Sequence, residues 1–120
     1  MLKIKIGEKE IEYLEAIETE EYYNGASRRT LTVTCTADAI SLDELNALLC
    51  EENLASIKMK NTEENAENIY DGYVLKLNCG INAVLTQTET PETAAAHEDR
   101  IVFKLGKRTY IEEQLHKLGL

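Results

Sequence analysis

The sequence predicts an α+β domain that is mainly β: about seven antiparallel strands in a sandwich or split barrel, carrying two short amphipathic helices. Three observations predict it. Apolar and polar residues alternate in short runs, L-K-I-K-I at Leu2–Ile6 and T-L-T-V-T-C-T at 30–36 among them, and a period of two marks a half-buried strand. Asn24-Gly25 joins two such segments, and both residue types tolerate the positive φ of a hairpin turn. Helical periodicity occurs in two places only, each opened by a capping box, with no βαβ alternation. With 120 residues, 43% of them hydrophobic, the chain fits one domain over residues 1–120.

The elements follow in order. Leu2–Ile6 is the first strand, and Gly7-Glu8 turns it into an extended or bulged segment from Glu10 to Tyr23. A third strand, Arg29–Thr36, places Leu31, Val33 and Cys35 on one face and threonines on the other. Ser41 and Glu44 then cap a helix whose stripe is Leu42, Leu45, Leu48 and Leu49. Leu54–Lys60 reads as a fourth strand, 61–68 as a polar connection, and Ile69–Cys79 as a fifth strand in which Asp71-Gly72 marks a bulge or bend rather than its end. Gly80 introduces a sixth strand, Ile81–Thr88. The segment 89–98, holding the single proline, is a connection to a seventh, Arg100–Leu105. Thr109 and Glu112 cap a last helix with the stripe Ile111, Leu115 and Leu118, and Gly119 stands at its C-terminal end. The expected core is Leu31, Val33, Leu45, Leu48, Leu75, Leu77, Phe103 and Leu105.

Charge narrows the function. Twenty-two acidic against thirteen basic residues give a net charge of −9, which argues against nucleic acid and against an anionic membrane surface, since both recruit clustered Lys and Arg. No apolar run is long enough to span a bilayer and the first residues hold no signal-peptide hydrophobic region, so the expected product is soluble and made in the cytoplasm. Cys35, Cys50 and Cys79 cannot all pair within one chain and match no zinc spacing; Cys35 and Cys79 fall on apolar strand faces as small buried residues of a reducing compartment. His97 and His116 have no spacing to a cysteine that would make a nucleophile–base pair. The polar segment 61–68 lacks the ligand order of a calcium loop, and Arg28-Arg29 and Lys107-Arg108 read as counter-charges. No phosphate-binding, nucleophile-elbow or zinc-protease motif is present. Catalytic, cofactor-binding and metal-binding residues are therefore expected to be none, and a hydrolase or isomerase built on a carboxylate pair ranks last.

The one segment that invites a functional reading is Glu15, Ile17, Glu18, Glu20, Glu21, Tyr22 and Tyr23, where four carboxylates cluster around an isolated isoleucine and two adjacent tyrosines. It is either an edge strand guarded by charge or a protein interface anchored by tyrosine. The ordered features R-R-T-L-T-V-T, S-L-D-E-L-N-A-L-L, N-I-Y-D-G-Y-V-L-K-L and K-R-T-Y-I-E-E-Q-L-H-K-L-G, behind a charged N-terminal hairpin, resemble small β-rich proteins encoded among the tail and baseplate genes of phages and prophages of Gram-positive gut bacteria. No catalytic signature comes with that resemblance. It implies a structural assembly protein whose partners are copies of itself, in rings or other oligomers, and other tail proteins, and a place in a virion. The alternative is a small intracellular module that binds a peptide or basic protein on the acidic, tyrosine-bearing face.

Overall fold

The L-K-I-K-I run forms β1 (Leu2–Ile6) and reverses at Gly7, whose φ of +62° suits a residue without Cβ, into β2 (Lys9–Glu12). The computed structural model describes residues 1–119. Among them follow β3 (Glu15–Tyr23), β4 (Ala26–Thr36), α1 (Leu42–Leu48), α2 (Glu51–Leu54), β5 (Ser56–Asn61), β6 (Ala66–Asp71), β7 (Leu75–Gln87), β8 (Ala96–Gly106) and α3 (Tyr110–Lys117). Two antiparallel sheets result, a first in the order β2-β1-β5-β6 and a second in the order β3-β4-β8-β7. The mainly-β, sandwich-like prediction holds, with eight strands where about seven were expected.

The extended segment expected from Glu10 to Tyr23 is one strand bent between two sheets. Tyr13 N–H donates to the Leu2 carbonyl (3.1 Å), extending the first sheet, and Leu14 N–H donates to the Thr34 carbonyl (2.7 Å), opening the second. Ile4, Ile6, Ile11, Ile57 and Met59 from the first sheet meet Leu31, Val33, Cys35, Ile101, Phe103 and Leu105 from the second, and Leu45, Leu49 and Leu54 complete the core.

Leu48, Leu75 and Leu77 are only half-buried, against expectation. A bulge explains the last two: Leu75 pairs with Gly106 but Asn78 with Lys104, so Leu77 is the extra residue and the alternation slips. Leu75 and Leu77 then lie on the outer face, while Cys79 turns inward opposite Phe103. Gly106 makes room there, because a Cβ on it would stand 2.8 Å from Leu77 Cδ1 and 3.2 Å from Arg28 Cδ.

Other boundaries move for local reasons. Leu54 is buried by the short helix α2, so the fourth expected strand starts at Ser56. Asn65, at φ +50°, closes a tight turn and lets β6 begin at Ala66, inside the expected connection. Asp71-Gly72 is no bulge: Gly72 takes φ +84° and ends β6, and the chain crosses to the other sheet through Tyr73 and Val74. Gly80 does not divide two strands, since it pairs with Val102 inside a continuous β7. β8 begins at Ala96, which shortens the connection expected over 89–98.

The second sheet is overrun at both ends. Its central pair, β4 and β8, is in register from Thr30–Gly106 to Thr36–Arg100. The β3–β4 hairpin continues past one end, from Glu20–Arg29 to Tyr23–Ala26, and turns at Asn24 and Gly25, both with positive φ. The β7–β8 hairpin continues past the other, from Ala83–Asp99 to Gln87–Ala96. The molecule is correspondingly long, 60 × 34 × 28 Å.

Candidate functional site

The acidic segment forms β3, an edge strand of the second sheet, and half of it is used within the chain. Glu21 accepts hydrogen bonds from Thr30 Oγ1 (2.8 Å) and Lys104 Nζ (2.9 Å), which hold its carboxyl below the usual range, the lysine contributing most. Lys104 Nζ also sits 5.1 Å from the centre of the Tyr23 ring. Glu18 accepts from the Tyr73 hydroxyl (2.5 Å) and lies 3.7 Å from Arg29. Burial, with the Glu18 carboxylate second, pushes the Tyr73 phenol up to about 12, so it stays a proton donor and pins the inter-sheet crossing to β3. Glu15, Ile17, Glu20 and Tyr22 remain exposed, Tyr22 at 74%. The seven residues singled out in the sequence thus share one strand and split into an internal set (Glu18, Glu21, Tyr23) and an external one.

The site that sequence reasoning missed is α3 and its anchor. Arg28, read as a counter-charge, is only 2% exposed. Its two Nη atoms donate to both Glu112 oxygens (2.5 and 3.0 Å), Nη1 also to the Lys107 carbonyl (3.0 Å), and Nε to the Tyr23 carbonyl (2.9 Å). Glu112 also accepts from Thr109 N–H, closing the capping box. The Arg28 bonds, with the Thr109 amide second, hold the Glu112 carboxyl at about 2. Arg108 and His116 add contacts to Glu51 of α2 at 2.9 and 3.1 Å.

α3 is therefore fixed by its charged side. Its stripe of Ile111, Leu115 and Leu118 faces outward, Leu118 at 73% exposure, and no residue of the helix is buried. Amphipathic helices ordinarily bury such a stripe. The stripe is legible from spacing, but its direction depends on a bond between residues 28 and 112 that no local pattern announces.

The second outward apolar feature is the β7–β8 hairpin. Ile81 shares a face with buried Ile101, and Leu85, on the same side four residues further, has passed the end of the core and is 52% exposed.

Chemical sites are sparse by comparison. The depressions on the surface are shallow and open; one of about 290 Å³ lies between the sheets, lined by Leu2, Tyr13, Ala16, Met59 and Tyr70 with polar residues of 60–68. Among the described residues no group of three or more His, Cys, Asp or Glu is placed to hold a metal ion. No helix among them is long and apolar enough to cross a membrane. Burial pushes the Cys35 thiol up to about 11, Cys79 is half-buried and also raised by burial, and Cys50 is exposed. Comparison of the chain with protein-family models, with curated proteins and with solved structures gives no significant match in any of the three.

Proposed function

We propose that the protein is a non-enzymatic structural subunit that assembles with copies of itself, in a phage-like tail or baseplate. The observation that carries the reading is the outward apolar stripe of α3. An eight-residue helix does not hold itself together in water, and this one is tethered at the end of the molecule with its apolar side free. Contiguous exposed apolar surface on a soluble fold is characteristically a contact site. The half-exposed side chains of the β7–β8 hairpin and the free part of β3 (Glu15, Ile17, Glu20, Tyr22) add further contact surface. The phage-like setting is supported by the sequence resemblance, and with it the expectation of a subunit that is made in the cytoplasm and assembled into a virion.

Size-exclusion chromatography with light scattering on the whole chain tests this. The expected result is a species heavier than the 13.5 kDa subunit, falling in mass on dilution. A 13.5 kDa monomer at every concentration overturns it. That outcome favours the second reading, a module that takes a peptide or basic protein on β3, for which Tyr22 standing exposed on the same strand face as Glu20 is the specific observation.

A further inference from the structure

We infer that, in the assembly proposed above and resting on that reading, subunits join head to tail: the β7–β8 hairpin tip of one copy docks on the outward stripe of α3 in the next. The two apolar features lie at opposite ends of β8. Leu85 pairs with His97 near its start, while α3 follows three residues after its end at Gly106. The strand from His97 to Gly106 separates them, roughly 30 Å at about 3.3 Å per residue. No single copy can bring the two patches together, so a contact between them joins two molecules.

Charge selects the pairing. The tip, residues 88–99, carries Glu89, Glu92, Glu98 and Asp99 and no Lys or Arg. The stripe of α3 is neighboured in sequence by Lys107, Arg108, Glu112, Glu113, His116 and Lys117; Glu112 is taken up by Arg28, and Arg108 and His116 by Glu51, while Lys107 and Lys117 have no ion-pair partner among the described residues. A tip-to-tip contact sets carboxylates against carboxylates, whereas the helix offers the tip the cations Lys107 and Lys117. Tip on helix sets opposite signs together around an apolar centre. Because the two patches differ, the contact is heterologous and propagates into a ring or an open chain. A few side chains on each side make a small interface, so association is concentration-dependent and weakens with salt.

Complementation between two variants tests the pairing. Leu85→Arg places a cation at the tip and Leu115→Glu an anion on the helix, each breaking the apolar contact and adding like-charge repulsion. Both positions are exposed, and circular dichroism with thermal melting checks that the fold persists. Each variant alone is expected to run as a 13.5 kDa monomer. Mixed in equal amounts they should recover a species of at least twice that mass, because the intact tip of Leu115→Glu meets the intact helix of Leu85→Arg. Should Leu115→Glu unravel α3, Lys117→Glu replaces it, with several-fold weaker association expected and partial recovery on mixing. A wild type that is itself monomeric overturns the assembly reading and this contact with it. An assembled wild type whose variants stay assembled overturns the contact alone, and so do two monomeric variants that fail to combine.

Discussion

The second sheet sends a hairpin past each of its ends, and only one of the two is tied to the body of the protein. At the β3–β4 end, Arg28 collects Glu112, Lys107 and Tyr23, Lys104 collects Glu21 and Tyr23, and Glu112 ties α3 to β4. At the β7–β8 end, the polar contacts stay inside the hairpin: Thr86 Oγ1 donates across it to the Ala96 carbonyl (3.2 Å), and Arg100 pairs with Glu98 of its own strand (3.1 Å). Their difference separates two uses of a long hairpin. A buried cation with matched acceptors makes an overhang part of the fold, whereas an overhang holding only its own ladder leaves its apolar side chains unspent.

The sharpest way to break the comparison is to remove the brace. Arg28→Ala deletes a buried guanidinium and strips Glu112 and three backbone carbonyls, those of Tyr23, Asn24 and Lys107, of their donor, and should cost about 3 kcal/mol, in the range for losing one partner of a buried charged hydrogen-bond set. Denaturant unfolding checks it, and a loss below about 1 kcal/mol would mean that α3 is not held by this contact. A titration probes the same brace without mutation. The folded-state pKa of Glu112 is depressed, so its contribution to stability is present above the ordinary carboxylate range and is lost as pH falls toward about 2. The Glu112 side-chain resonance should titrate near that low value, and a midpoint at the ordinary glutamate value contradicts the bond to Arg28. The smallest effect belongs to the other hairpin: Leu85→Arg should change folding stability by less than about 0.5 kcal/mol, as an exposed position does. A loss above about 2 kcal/mol in the monomer would show that the tip packs on its own domain.

Much of this architecture was readable from the chain. L-K-I-K-I, T-L-T-V-T-C-T, Asn24-Gly25 and both helix caps are local signals, and each lies where the sequence puts it. Thr109 and Glu112 form the full reciprocal box; for Ser41 the structure records the bond accepted from Glu44 N–H (3.2 Å). What escaped was non-local. The bulge at Leu77 is set by pairing with β8, and it reverses the faces of Leu75 and Leu77 without any change in their own pattern. Gly72 and Gly80 look alike in sequence, yet one ends a strand at positive φ and the other sits inside a ladder. Of the interface segment, clustering was legible, but the withdrawal of Glu18, Glu21 and Tyr23 into contacts with Tyr73 and Lys104 needs residues far along the chain.

The register of β4 against β8 also orders events during synthesis. β3 and β4 are complete once Thr36 has been made, and their hairpin closes with a turn of favourable residues. The other flank of β4, opposite Leu31, Val33 and Cys35, finds its partner only after residues 100–106 leave the ribosome. For most of translation the nascent chain therefore carries an open strand edge, and late pairing of this kind places folding among the slower topologies. The carboxylates of β3 are already in place on the opposite flank, where charge discourages two unfinished chains from joining edge to edge. The charge that marks the edge of the finished sheet is therefore present on that same edge from the first hairpin onward.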